Sequence, residues 1–73
     1  MHIKEFATRE ALAILTANGY QFTRAGKGGH RIYTNGRTSI SIPTHSKSIN
    51  KVLFARIIKE NGLDITLKRG VVR

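Results

Sequence analysis

The chain has no cysteine, a single proline and only four carboxylates. Without cysteine it can form no disulfide, no thiolate metal site and no cysteine nucleophile; a reducing, cytoplasmic setting is the expected one. Long apolar runs are missing as well, since nothing approaches the roughly 20 residues of a membrane span. The apolar stretch Ala11 to Ala17 (ALAILTA) follows Glu5 and Glu10, where a signal peptide would carry cations, so no signal peptide is expected. Repeats, low-complexity tracts and linkers are absent. At 73 residues, residues 1–73 read as one small domain, with a core over 8–64 and a basic tail over 65–73. A domain of this size buries only about 60% of its unfolded surface, which allows one thin core and no deep enclosed pocket.

The scarcity of acids is uneven. Glu5, Glu10, Glu60 and Asp64 lie near the ends, and from Ala11 through Lys59 there is no carboxylate. That interval holds Arg24, Lys27, Arg31, Arg37, Lys47, Lys51, Arg56 and Lys59, and the whole chain carries a formal net charge of +9. Such a field attracts and steers phosphate polymers. An acidic protein or an anionic membrane would also answer it, but nucleic acid is the favoured partner.

What is present reads as an α+β domain. Thr8 is a fitting N-cap, with Glu10 in the first turn to suit the helix dipole. Leu12, Ile14 and Leu15, with small Ala11, Ala13 and Ala17, give the helix an apolar face, and Asn18-Gly19 ends it. Residues 20–24 alternate as a strand, 25–29 form a glycine-rich turn, and 31–34 and 37–42 are two more strands joined by Asn35-Gly36, a hairpin signal. Phe22, Ile32, Ile40 and Ile42 are expected inside; Gln21, Thr23, Arg31, Tyr33, Arg37, Ser39 and Ser41 are expected on an open polar face. Thr44 to Ser48 is a loop. From about Ile49 the period is helical, with Val52, Leu53, Phe54, Ile57 and Ile58 on one side, and Asn61-Gly62 ends the helix with Leu63 packing past the cap. The tail adds an edge strand or frays. The order is α-β-β-β-α, with two helices on one face of a three-stranded antiparallel sheet.

The chemistry concentrates in Lys27-Gly28-Gly29-His30-Arg31-Ile32-Tyr33. Glycines let the backbone bend and a ligand approach closely. Histidine exchanges protons near neutral pH. Arg31 offers a phosphate partner, and Tyr33 a stacking face or a sheet filler. By strand parity His30 falls on the side of Ile32, so it is expected at the strand's mouth, re-aimed by the turn. His45 reads mainly as loop structure with a lesser chance of assisting. His2 is assigned no role.

Taken in order, Arg9-Glu10, Asn18-Gly19-Tyr20, Lys27-Gly28-Gly29-His30, Ser41-Ile42-Pro43-Thr44-His45 and Arg56-Ile57-Ile58-Lys59-Glu60-Asn61-Gly62-Leu63 resemble the HicA family of bacterial messenger-RNA interferase toxins. The resemblance covers Thr8 to about Asp64. It implies a fold like the double-stranded-RNA-binding domain, an mRNA-cleaving activity, a cognate HicB-type antitoxin, and a catalytic histidine matching His30. Many members carry serine where Gly29 stands and a second histidine where Arg31 stands, and the Pro-Gly often found before the last helix is replaced by Asn50-Lys51.

A metal nuclease would need clustered carboxylates, and His2, His30 and His45 lack metal-ligand spacing. A metal-free and cofactor-free route is the better fit, because RNA carries its own nucleophile in the 2′-hydroxyl. His30 is then the proton-transfer group, with Lys27, Arg31 and Lys47 around the phosphate and the amides of Gly28 and Gly29 as an anion nest. Tyr33, Arg37, His45 and Lys51 extend the expected RNA contact. The alternatives are a non-catalytic double-stranded-RNA-binding module of the same fold and a domain that binds an acidic protein.

Overall fold

A computed structural model describes residues 6–67. His2, Glu5 and the part of the tail beyond Leu67, expected to add an edge strand or fray, lie outside the described residues. The elements are β1 (Phe6–Ala7), α1 (Thr8–Ala17), β2 (Gln21–Ala25), β3 (His30–Thr34), β4 (Ser39–Pro43), β5 (Ser48–Ile49) and α2 (Lys51–Asn61). Strands β2, β3 and β4 form an antiparallel meander in that order, and β1 pairs with β5 in a separate two-stranded ribbon. The α-β-β-β-α order stands, and the short ribbon is added to it. Ribbon pairing sets Phe6 opposite Ile49, both buried. It takes Ile49, expected to open the last helix, into a strand.

Helix α1 buries Ala11, Ile14 and Leu15, a spacing of three and four that makes one face. Thr8 does not cap it. The residue before the helix is Ala7, and Thr8 lies inside the first turn, buried, with its hydroxyl donating to the Ser46 carbonyl at 2.7 Å. The threonine therefore ties α1 to the loop after β4. Helix α2 is capped by Asn50, whose side-chain oxygen accepts from the Leu53 N–H at 2.9 Å, and it stops at left-handed Gly62. Phe54 and Ile57 face the core, with Phe54 edge-on to Phe6 at 5.0 Å. Val52, expected on that face, is 63% exposed.

The core is one cluster in which α1, α2 and the ribbon cover a single face of the meander through Tyr33, Ile40 and Ile42. Here the structure corrects the expected strand faces. Tyr33 pairs with Ile40 and Arg31 with Ile42, whereas Ile32 pairs with Ser41. Directly opposed residues share a sheet face, so Tyr33 points inward and Ile32 outward. Ile32 and Tyr33 are adjacent and both apolar, so alternation within β3 suits either face, and a choice displaced by one residue inverts the whole strand. Phe22, also expected inside, is 53% exposed on the edge strand, with its ring edge-on to Tyr33. The register breaks between Phe22 and Arg24, a bulge that re-aims this strand's side chains.

Candidate functional site

Lys27, Gly28 and Gly29 make one tight turn between β2 and β3. Gly28 and Gly29 have φ of +62° and +78°, a left-handed pair that residues with a Cβ adopt only at a cost. The Gly26 N–H donates to the His30 carbonyl at 2.7 Å and closes the bend. The Lys27 carbonyl receives the His30 backbone N–H and also lies 2.9 Å from the His30 ring Nδ1. A carbonyl can only accept, so in the neutral ring Nδ1 carries the proton and Nε2 keeps a lone pair.

Strand register then decides where this imidazole lies. His30 pairs with Pro43, and Ile32 with Ser41 on one side and Arg24 on the other. These residues occupy the face of the meander opposite the core. The expected conflict between His30 and a buried Ile32 therefore does not arise: both lie on the uncovered face, and His30 is half-buried there.

The loop after β4 brings a second imidazole to the same turn. Thr44 donates twice to the Gly29 carbonyl, from its N–H at 2.9 Å and its hydroxyl at 2.7 Å. His45 follows, with its ring centre 6.4 Å from that of His30 and a 43° tilt between the planes. A Cβ added at Gly29 would lie 3.0 Å from the His45 Cβ. Glycine at 29 thus sets how closely the two segments approach.

Other expected site residues are distributed more widely. Arg31 and Lys47 line a cleft of about 590 Å3 beside the start of α1, together with Arg9, Leu12, Thr44 and Ser46. Because neighbouring strand residues face opposite ways, Arg31 and this cleft lie on the other face of β3 from the His30 imidazole, and Thr44 both lines the cleft and bonds the Gly29 carbonyl. The Arg31 guanidinium also stands 5.8 Å from the Phe22 ring centre. Tyr33 is buried at 7% exposure; its ring belongs to the core and offers no face for stacking on a base, a correction that follows from the inverted parity of β3. Arg37 lies in the β3–β4 hairpin, at the far end of β3 from His30, and Lys51 opens α2. Arg9 in the cleft and Arg24 on the His30 face, although Arg24 belongs to the acid-free interval and Arg9 to a family motif, were not assigned an RNA contact from sequence. Nothing local marks Arg9 for the cleft, and the register of Arg24 depends on the bulge.

None of the described carboxylates lines the cleft, although Glu10 follows Arg9 in the first turn of α1. Glu10 is in α1 and Glu60 in α2, and Asp64 follows α2. Among the described residues no three histidine or carboxylate side chains gather as a metal site, and no helix is long and apolar enough to cross a membrane. Hydrogen bonds from the Thr66 hydroxyl and then its N–H hold the Asp64 carboxyl below its usual range, against a small opposing effect of desolvation.

Comparisons with curated proteins and with solved structures return no match. A family model described as "HicA toxin of bacterial toxin-antitoxin" matches residues 8–63. That span holds α1, the whole meander, the glycine turn with His30, the His45 loop and α2, and on it the chain belongs to the HicA toxin family.

Proposed function

We propose that this toxin is a metal-independent endoribonuclease that cleaves mRNA, with His30 as its proton-transfer group. The observation that carries the reading is the imidazole itself. It stands on the sheet face the helices leave uncovered, and the Lys27 carbonyl fixes its tautomer at 2.9 Å. An Nε2 lone pair held this way suits removal of a proton from the 2′-hydroxyl, a step typically worth about 10²–10⁴-fold. Lys27 and the turn amides of Gly28 and Gly29 lie beside the scissile phosphate. Arg9, Arg31 and Lys47 receive a neighbouring phosphate in the cleft on the other face of β3, which divides the expected cation cluster into two contact points. Positive charge fixed before reaction stabilises charge that develops on the phosphate without reorganisation. Lys51 and Arg37 widen the footprint. A cognate HicB-type antitoxin silences the toxin by covering this basic face, in the cytoplasm where both meet mRNA.

The test is purified protein incubated with a structured RNA in EDTA, beside DNA of the same sequence and a His30→Ala variant. Cleavage of RNA alone, lost in the variant, is expected. Equal cutting of DNA, or cleavage unchanged by His30→Ala, refutes the reading. Salt-dependent binding without turnover by either form would mark the domain as a non-catalytic double-stranded-RNA-binding module.

A further inference from the structure

We infer that His45 is a second catalytic residue, the general acid that protonates the leaving 5′-oxygen while His30 takes the proton from the 2′-hydroxyl. The inference rests on the ribonuclease reading above. In the reaction O2′ attacks phosphorus and its proton passes to His30 Nε2. The P–O2′ bond forms, the P–O5′ bond breaks, and a proton from the His45 imidazolium passes to O5′. The products are a 2′,3′-cyclic phosphate and a 5′-hydroxyl, and the two histidines exchange protonation states with no other reactant required.

Three observations support the assignment. The first is proximity. Ring centres 6.4 Å apart leave no direct hydrogen bond between the imidazoles. They leave room for one phosphate group with a hydrogen bond of about 2.6–3.2 Å to each ring. The second is that the spacing is built. Thr44, next to His45, is fastened to the Gly29 carbonyl by two hydrogen bonds, and Gly29, next to His30, has no side chain to push the loop away. The third is elimination. A leaving alkoxide needs an acid that releases its proton near neutrality. Arg31 and Lys47 line the cleft beside the start of α1, away from the His30 face, and are removed by position. Among the described residues Glu10 lies in α1, Glu60 in α2 and Asp64 after α2, and Tyr20 and Tyr33 are core residues. Histidine exchanges protons near neutral pH, and His45 is the second imidazole at this turn. The tautomer of His30 makes it the base, which gives the acid's part to His45.

The experiment separates proton donation from phosphate binding. Once a cleavage site is mapped with the wild-type protein, the full chain and its His45→Gln and His30→Ala variants are given two oligonucleotides containing that site. One has the ordinary linkage and one has sulfur in place of the bridging 5′-oxygen, a leaving group that needs no proton. His45→Gln is expected to slow the ordinary linkage by about 10²–10⁴-fold and to return to within a few-fold of wild type on the sulfur linkage. His30→Ala is expected to be slow on both. His45 is exposed, and an unchanged melting temperature confirms the fold of its variant. If His45→Gln is as fast as wild type, or is slowed equally on both linkages, the inference is overturned while the ribonuclease reading stands. Wild-type protein that leaves RNA whole overturns both.

Discussion

Gly29 is the position where stability and the site are most tightly joined, and Gly29→Ala tests that connection. Two costs follow from the structure. With φ at +78°, any L-residue must adopt a left-handed conformation, at roughly 1–2 kcal/mol. The new methyl group would also lie 3.0 Å from the His45 Cβ. The backbone has little freedom to relieve this, because the Gly29 carbonyl holds two hydrogen bonds from Thr44; crowding of this kind costs about 1–3 kcal/mol. Gly19 is a matched control. It has φ of +89° but nothing within 4 Å of an added Cβ, so Gly19→Ala bears the backbone cost alone. A domain of 73 residues has about 4–11 kcal/mol in total, so Gly19→Ala, at about 1–2 kcal/mol, remains folded, and Gly29→Ala loses a large share of the total. Urea denaturation should show Gly29→Ala less stable than Gly19→Ala by about 1–3 kcal/mol, and thermal melts should show a gap of about 4–8 °C per kcal/mol. RNA cleavage should fall in Gly29→Ala only. Equal stability of the two variants, with equal cleavage, would refute the argument that Gly29 sets the approach of the His45 loop.

Tyr33→Ala should lose about 3–5 kcal/mol in urea melts, as large aromatic truncations in cores do, whereas Tyr33→Phe should bind RNA as wild type does; weaker RNA binding by Tyr33→Phe at unchanged stability would restore a surface role. Arg31→Gln and Lys47→Gln should each reduce the slope of log affinity against log salt by about 0.7–0.9 per lost phosphate contact, measured by fluorescence anisotropy on RNA, and an unchanged slope would remove the cleft from the binding surface. Asp64 is a pH prediction. Its carboxyl is held below the usual range by Thr66, so its contribution is present above the ordinary carboxylate pKa and is lost as pH falls through the lowered value. The stability gap between wild type and Asp64→Asn should therefore be open near pH 6 and close in strong acid; a gap that widens on acidification contradicts the hydrogen-bonded carboxylate.

The sequence by itself determined the order of the main elements, because their signals are local. Apolar spacing makes α1 and α2, glycines end them, and Asn35-Gly36 turns the chain between β3 and β4. It also determined the acid-free basic interval, which no fold can alter, and the link between His30 and the glycine turn, which are neighbours in the chain. Tertiary structure alone decided which face of β3 looks outward, since that depends on pairing Tyr33 with Ile40 and not on any residue within the strand. It likewise decided the pairing of β1 with β5, the placement of Arg9 beside Arg31 and Lys47, and the meeting of His30 with His45. Each of these joins residues distant along the chain, and their proximity depends on register, a bulge and two hydrogen bonds to a single carbonyl, none of which leaves a local mark in the sequence.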